Sequence, residues 1–177
     1  MNIFVTDPSP LISAQVLPDK HIVKMPLETC QMLAVVFSKW YFDWGDDVLP
    51  KKDGTPYNTQ KGAFRGHPCT VWAAKDECNT AWLIAHGFEL LREYEYRYGK
   101  VHSCATAMNA AERVFEDNTG RTISCCKGAT PFAFAGPDEF KHDESIDILT
   151  KYKKYIASKS WVSNNYIRKP NRKPNWI

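Results

Sequence analysis

The sequence predicts a mainly α-helical protein that folds as a single domain with little β-strand. Its 177 residues suit one domain with one hydrophobic core. Apolar side chains recur at helical spacing in several long stretches, and segments rich in proline and glycine separate those stretches. Hydrophobic residues make up 44% of the chain, which is enough to cover one face of each predicted helix.

The first elements lead into a central helix. Residues 2–6 are expected to form a short strand or an extended arm near the N-terminal amine. Ser9 before a proline is typical of a helix start, so a short helix is expected over about residues 10–17. Asp19 is a good N-cap for a central helix that runs to about Trp44. The second half of that helix should face the core with five side chains: Leu33, Val36, Phe37, Trp40 and Tyr41.

A long loop and further helices follow the central helix. Residues 45–68 are crowded with glycine, proline and aspartate, and an irregular segment of that length in a compact domain is either functional or disordered. The apolar stripe of residues 70–98 predicts a long helix that Gly99 ends. The remaining predicted elements are helices over 103–116 and 144–163 and a loop over 117–130.

Four polar side chains share one face of the central helix: His21, Lys24, Glu28 and Gln31. One interpretation is a solvated face with a Lys24–Glu28 pair worth a few tenths of a kcal/mol. The other is an active site in which Glu28 is a general base or charge stabiliser and Lys24 and His21 are cationic donors. Pro26 lies within the helical run and should kink the helix, because it removes a backbone hydrogen bond.

Side chains near two helix ends are candidates for substrate binding. His67 precedes the helix that Thr70 is expected to cap. It either faces a ligand near the N-terminus of that helix or is a loop histidine without a functional role. Arg97, Lys100 and His102 cluster at the end of the same helix, where they could hold a phosphate. Cations at a helix C-terminus are also favourable for the helix dipole alone.

An aromatic segment held by prolines supplies the last candidates. Phe132 could offer a stacking surface, and Asp138 or Lys141 could contact a substrate. The alternative for Asp138 is a simple role in capping the next helix.

The charge distribution favours an acidic partner, and DNA or a nucleotide is the first candidate. The chain carries a net charge of +3, but residues 151–177 contain eight lysines or arginines and no acid. A basic, aromatic tail covers about residues 164–177. No cofactor is expected, and the histidines and cysteines are too scattered along the chain to propose a metal site.

The location is expected to be the cytoplasm. The sequence has no apolar run of transmembrane length and no signal peptide, so no membrane is expected. None of the six cysteines is in C-x-x-C spacing, and we interpret them as reduced thiols, including the adjacent Cys125 and Cys126.

Two stretches resemble the pyrimidine-dimer DNA glycosylase (endonuclease V-like) family, best known from bacteriophages. The segment at 19–21 reads Asp-Lys-His, and Glu28 follows seven residues after the histidine. Residues 82–99 are similar to the family's second long helix, which ends near an Arg-Gly. The chain resembles a second group of phage proteins more closely than it resembles that family. The shared segments are DKHxxKM at 19–25, HPCxVW at 67–72, YRYGK at 96–100 and TPFA with PDE at 130–139.

The resemblance implies a compact helical fold and a two-step reaction in an infected host cell. An N-terminal amine attacks the sugar C1′, the base leaves, and the resulting Schiff base permits strand cleavage. α-Amino groups have a pKa of about 7.7–8.0, which suits that task. Glu28 takes the carboxylate role and His21 a positioning role. Asn2 is too bulky for Met1 to be removed, so the amine is that of Met1, with Asn2 beside the substrate.

Alternatives to this chemistry remain open at the level of sequence. Lys24 could be the imine-forming amine if burial beside His21 keeps it neutral. The chain could also be an enzyme that acts on free or modified nucleotides, with phosphate held by the basic cluster. A third hypothesis is a binder without chemistry, which sequesters a nucleotide or a host protein.

Overall fold

The computed structural model describes residues 1–125 and 128–177, and it has a mainly helical fold, as the sequence predicts. Only an isolated antiparallel bridge between Pro50 and Pro56 represents β-structure in these two ranges. The helices are α1 (Pro10–Gln15), α2 (Asp19–Phe37), α3 (Pro68–Ala74), α4 (Glu77–Tyr98), α5 (Ala105–Thr119), α6 (Asp138–Lys141) and α7 (Ile148–Ala157). Single 3₁₀ turns cover Ile123–Cys125, Val162–Asn164 and Pro170–Arg172.

Helix α2 lies at the centre and packs against α3, α4 and α5. Most of its apolar side chains are buried at helical spacing, so the hydrophobic effect fixes the helix in place. Gly87 of α4 allows this packing, because a Cβ atom there would lie 2.5 Å from Met108 of α5 and 3.0 Å from Thr29 of α2. The helix continues through Pro26, which is buried.

The N-terminal residues form an extended arm, which is the second of the two forms that the sequence allows. Ile3, Phe4 and Val5 are buried in the main core, so the arm is fixed by apolar contacts rather than by strand pairing. Ser13 of α1 helps to hold it, because its hydroxyl accepts from the backbone N–H of Thr6 at 3.1 Å. The arm ends beside α2, and this brings Met1 to the polar face of that helix.

The expectation that the central helix continues to Trp44 is wrong. Helix α2 ends at Phe37, whose carbonyl accepts from the backbone N–H of Trp44 at 2.7 Å, so the chain folds back on the helix end. Trp40 is 36% exposed and Tyr41 is half-buried, so these two side chains do not belong to the core. Asp19 is also not the N-cap, since Pro18 occupies that position.

The stretch predicted as one helix over 70–98 forms two. Asp76 breaks it, because its carboxylate accepts from the backbone N–H of Cys78 at 2.7 Å and so caps α4. The cap of α3 is His67 and not Thr70, which is buried inside the helix. The C-terminal end of α4 agrees with the sequence, since Gly99 has the left-handed φ of 65°.

The later helices differ in length from those predicted. Helix α5 extends to Thr119 before Gly120 ends it. The predicted helix over 144–163 is shorter, because Asp147 accepts from the backbone N–H of Thr150 at 2.9 Å and starts α7 there. Cys126, in the predicted loop over 117–130, lies outside the described residues. Within the two described ranges, every helix is too short or too polar to cross a lipid bilayer.

Candidate active site

A pocket of about 270 Å³ opens beside the polar face of α2. The N-terminal arm, the first half of α2 and the C-terminal segment build its walls. Its lining residues are Met1, Asn2, Phe4, His21, Lys24, Met25, Glu28, Tyr155, Lys159 and Trp161. The pocket therefore contains all four residues that the sequence assigns to catalysis.

Glu28 is the carboxylate at the base of this pocket, and it is only 6% exposed. The α-amine of Met1 lies 3.8 Å from Glu28 Oε2, and Lys24 Nζ lies 3.0 Å from Oε1. A buried carboxylate needs opposite charge or hydrogen bonds to remain ionised. Both cations that face Glu28 are amines. The site therefore places groups that could act as a nucleophile beside a carboxylate that could accept a proton.

Lys24 differs from Met1 in its exposure to solvent. The Lys24 side chain is 67% exposed, so the burial that would keep its amine neutral is absent. The idea that desolvation activates Lys24 is therefore not supported by its environment. Lys24 instead forms the i,i+4 ion pair that the sequence offers as the alternative interpretation of the stripe.

The side chain of Asn2 holds the N-terminus in place. Its amide nitrogen donates to the carbonyl of Ala135, and its amide oxygen accepts from the backbone N–H groups of Ile3 at 2.9 Å and Phe4 at 3.2 Å. Phe4 adopts a φ of 42°, a conformation that costs about 1–3 kcal/mol for a residue with a Cβ atom. This constrained turn keeps the Met1 amine directed toward Glu28.

His21 is buried and uncharged, which corrects its assignment as a cationic donor. Its ring stacks on Phe4 with 4.2 Å between centroids and meets the edge of Trp161 at 5.6 Å. Burial, followed by the positive charges of Lys159 and Lys24, lowers the pKa of His21 to about 3. A neutral His21 fits the positioning role that the family resemblance gives it.

His67 lies next to the N-terminus, but it is not among the residues that line the pocket. Its Nδ1 accepts from the backbone N–H of Cys69 at 3.2 Å, so the imidazole is fixed by the start of α3. The ring contacts the backbone of Met1, and burial followed by the charge of the Met1 amine lowers the pKa of His67. His67 is thus a neighbour of the Met1 backbone that the start of α3 holds in place.

Five lining residues of the pocket were missed by sequence reasoning: Phe4 and Met25, and three side chains of the C-terminal segment. Tyr155 lies on α7, and Lys159 and Trp161 follow it. Lys159 Nζ lies 4.0 Å from the centre of the Tyr155 ring and 5.6 Å from the centre of the Phe4 ring. The i,i+4 spacing of Tyr155 and Lys159 in a basic region was the available signal, but it does not reveal which element they face.

Other predicted binding residues lie away from this pocket. Gln31 lines a separate hollow with Phe64, and His102 lines a cavity beside Val23. Lys100 is exposed in the turn after α4, and Thr70 is buried within α3. These residues are therefore not part of the Glu28 pocket.

The aromatic segment is also separate from the pocket. Phe132 packs on Trp72 and Trp82 with centroid distances of 5.2 Å and 4.8 Å, so its ring is part of the hydrophobic packing. Asp138 is exposed in the first turn of α6, and the carbonyl of Lys141 accepts from Lys151 Nζ. Asp138 makes no side-chain cap, because Pro137 occupies the N-cap position.

Arg97 belongs to a buried ionic network rather than to a phosphate site. Its guanidinium donates to Asp19 at 3.0 Å and to Glu93 at 2.7 Å, and to the carbonyls of Leu17 and Gln15. The Arg97 side chain is 0% exposed. Arg172 of the basic tail adds two hydrogen bonds to Glu93, each of 3.0 Å, so part of the tail is bound to the domain.

Among the described residues, no three histidine, cysteine, aspartate or glutamate side chains come together as a metal-binding group. The groups that line the Glu28 pocket are amines, a carboxylate, an imidazole, an amide and aromatic rings.

Comparison with known proteins identifies the first part of the chain. Residues 1–106 match a family model described as pyrimidine dimer DNA glycosylase. Searches of curated proteins and of solved structures give no match. The matched range contains the N-terminal arm, α2, α3 and α4, but not Tyr155, Lys159 or Trp161.

Proposed function

Because the chain belongs to the pyrimidine dimer DNA glycosylase family, we propose that it is a DNA glycosylase and AP lyase whose nucleophile is the α-amine of Met1. The observation that carries this proposal is the 3.8 Å contact between that amine and buried Glu28 in a pocket open to a substrate. The family match supports the class of reaction, and the contact supports the assignment of its two reacting groups.

The reaction begins with attack of the neutral amine on C1′ of the damaged nucleotide. The bond between C1′ and the base nitrogen breaks, and its electron pair leaves with the base. Glu28 accepts the proton released by the amine and delivers it to the ring oxygen as the sugar opens, which leaves an imine between Met1 and C1′. Its negative charge also stabilises the positive charge that develops on the sugar as the base leaves.

The second step uses the same groups. Loss of a proton from C2′ and departure of the 3′ phosphate cleave the strand, and water then hydrolyses the imine. Glu28 is the nearest carboxylate to accept the C2′ proton, because it lies beside the amine that holds the sugar. A damaged nucleotide must leave the duplex to reach a pocket of this kind.

The cations at the pocket mouth provide binding to the phosphate backbone. Lys24 and Lys159 come from different segments that line the pocket, and Lys24 is largely exposed. Each can neutralise a phosphate that flanks the damaged nucleotide. Tyr155 and Trp161 add aromatic faces and edges beside these lysines, which suit contact with a base or a sugar.

Borohydride trapping tests this function, because reduction converts the imine into a stable bond. The protein is incubated with duplex DNA that carries either a UV-induced pyrimidine dimer or an abasic site. We expect a covalent adduct with both substrates, and much less with the dimer substrate for Glu28→Gln. Lys154→Gln, a change at an exposed lysine of α7, should trap like the unmodified protein. Absence of an adduct on either DNA would contradict the proposal and favour a nucleotide enzyme or a binder.

A further inference from the structure

A second cavity, of about 620 Å³, lies on another side of α2. Val23 and Leu27 of α2 form its apolar side, while Lys51 and Tyr57 come from the long loop. His102 and Cys104, just before α5, complete the wall. None of the residues that line the Glu28 pocket takes part, so this cavity has no role in the chemistry described above.

Cys104 is the reactive group in this wall, and three side chains surround its sulfur. The hydroxyl of Tyr57 lies 3.8 Å from Cys104 Sγ. The thiol of Cys30 lies 4.0 Å from the carbonyl oxygen of Cys104 and also contacts its sulfur. His102 is fixed beside them, because its Nδ1 accepts from the backbone N–H of Cys104 and its Nε2 reaches the carbonyl of Val23, each at 3.1 Å.

These contacts favour the thiolate form of Cys104. Contact with Cys30, followed by contact with His102 and Tyr57, lowers the pKa of Cys104 to about 5 despite its burial. The residue is also the N-cap of the 15-residue helix α5, where the helix dipole stabilises negative charge. The pKa of Cys30 is raised by the same contact, so Cys30 retains its proton as the donor.

The charged groups that face the cavity do not oppose a thiolate. Lys51 and Lys52 are cationic, and Asp53 is the one acid among the lining residues. Burial works against a charge on His102, but its contacts with Cys104 and the carbonyl of Val23 raise its pKa overall. The cavity therefore presents a thiolate and mainly positive groups to small molecules, and the Cys30 thiol lies buried behind Cys104.

We propose that Cys104 and Cys30 form a redox-active dithiol, in which Cys104 reacts with hydroperoxides that enter the cavity and Cys30 resolves the product. The Cys104 thiolate attacks the terminal peroxide oxygen, the O–O bond breaks, and the hydroperoxide leaves as an alcohol or as water after protonation. Cys104 becomes a sulfenic acid. The Cys30 sulfur then attacks Cys104 Sγ, water leaves, and a disulfide joins α2 to the start of α5.

The site is independent of the proposed glycosylase activity in its chemistry, but it is close to it along the chain. Cys30 lies two residues after Glu28 on α2, on a buried face of that helix. Three other cysteines of the described residues provide internal comparisons. Cys69 is buried against Tyr152, and burial raises its pKa to about 11, so it should remain an unreactive thiol. Cys78 and Cys125 reach the surface.

The first test measures the rate of alkylation by iodoacetamide at each cysteine of the unmodified protein by peptide mapping. Between pH 8 and pH 6 the rate for an ordinary thiol with a pKa near 8.5 falls roughly 75-fold, because its thiolate fraction falls by that factor. The rate at Cys104 should change by less than about twofold over this range, since it stays ionised. A fall at Cys104 equal to that of a cysteine peptide in the same tube would overturn the proposal.

The second test treats the reduced protein with hydrogen peroxide and maps the products. We expect a Cys30–Cys104 disulfide in the unmodified protein and a sulfenic acid at Cys104, captured by dimedone, in Cys30→Ser. Cys78→Ser and Cys125→Ser are matched controls and should still form the disulfide. If peroxide produces no Cys30–Cys104 disulfide in the unmodified protein, the proposal is wrong, whatever the fate of the variants.

Discussion

Two clusters of buried charge lie along α2 and its neighbours, and they differ in how completely their carboxylates are bonded. Asp19 accepts from Arg97 at 3.0 Å and from the backbone N–H groups of Ile167 and Arg168 at 2.8 and 3.1 Å. Glu93 accepts three hydrogen bonds of 2.7–3.0 Å from Arg97 and Arg172. These carboxylates are enclosed by donors that belong to the fold.

Glu28 has a different environment, although it is as deeply buried. Its partners in the described part of the chain are an exposed lysine at 3.0 Å and the Met1 amine at 3.8 Å, and a cavity lies beside it. A saturated carboxylate stabilises one arrangement of the chain, whereas a carboxylate with an amine and an open cavity can exchange protons with a ligand. The comparison therefore assigns Asp19 and Glu93 to the stability of the fold and Glu28 to chemistry.

The largest expected effect comes from Glu28→Gln. Loss of the proton acceptor should reduce single-turnover cleavage of dimer-containing DNA by about 10²–10⁴-fold, the usual contribution of a general acid–base group. The free energy of unfolding should change little, because the amide replaces a carboxylate that few fold contacts satisfy. Glu89→Gln removes a carboxylate paired with Arg92 outside the pocket and should leave turnover unchanged. Retained turnover in Glu28→Gln would mean that Glu28 is structural.

For Arg97→Gln we expect the opposite of Glu28→Gln, namely a large change in the free energy of unfolding. Removal of a fully buried guanidinium leaves the negative charges of Asp19 and Glu93 without their buried cation. This should lower the free energy of unfolding by about 3–5 kcal/mol. Urea unfolding followed by circular dichroism measures this change. The control is Arg92→Gln, whose side chain is 71% exposed, and the expected loss there is below about 1 kcal/mol. Equal losses in the two variants would remove the distinction between the clusters.

Acid pH should weaken the fold through two buried histidines. Burial lowers the pKa of His21 and of His86 to about 3, below the value of 6.5 in an unfolded chain. The unfolded state therefore binds protons first, so stability is complete above about pH 6.5 and falls as the pH drops toward 3. At pH 5 the expected loss is roughly 2 kcal/mol for each histidine.

The variant His86→Leu removes one of the two buried histidines, so the pH dependence that remains is that of His21 in the pocket. Neither ring nitrogen of His86 has a hydrogen-bond partner among the described residues, so leucine should fit there without breaking a bond. The variant should lose about half of the pH dependence between pH 7 and pH 5, with the remainder due to His21. A stability that does not change between these two pH values in the unmodified protein would contradict the burial argument.

A smaller effect is expected for Lys159→Gln. Removal of one phosphate contact should weaken binding of dimer-containing DNA roughly tenfold and reduce the slope of log K against log salt by about one. The single-turnover rate at saturating protein should be nearly unchanged, because Lys159 binds rather than reacts. Lys154→Gln on α7 is the matched control. An equal change in salt slope for both lysines would mean that Lys159 acts only through net charge.

Sequence periodicity placed His21, Lys24 and Glu28 on one face of α2, and these three line one pocket, because residues on one helix are related by a fixed geometry. Gln31, which was assigned to the same face, lines a separate hollow. The ends of elements were harder to predict, because Phe37 and Asp76 end and restart helices through hydrogen bonds of individual side chains and turns. The burial of Arg97 was unexpected, since arginines are mostly exposed and its partner Asp19 is distant in sequence.

The composition of the pocket was predictable only in part. The meeting of Met1 with Glu28 was implied by the family resemblance and not by the residues, because it depends on how the N-terminal arm packs. Tyr155, Lys159 and Trp161 come from a segment beyond the family match, and nothing in their spacing indicates that they face Met1.

The most direct test of the central claim is to identify the residue that carries the borohydride-trapped DNA. The adduct formed on dimer-containing DNA is digested with protease and nuclease, and the modified peptide is sequenced by mass spectrometry. The account predicts that the sugar is attached to the α-nitrogen of Met1, the amine beside Glu28. Attachment to Lys24 Nζ or Lys159 Nζ would contradict it, because the reacting amine would then be a side chain at the pocket mouth.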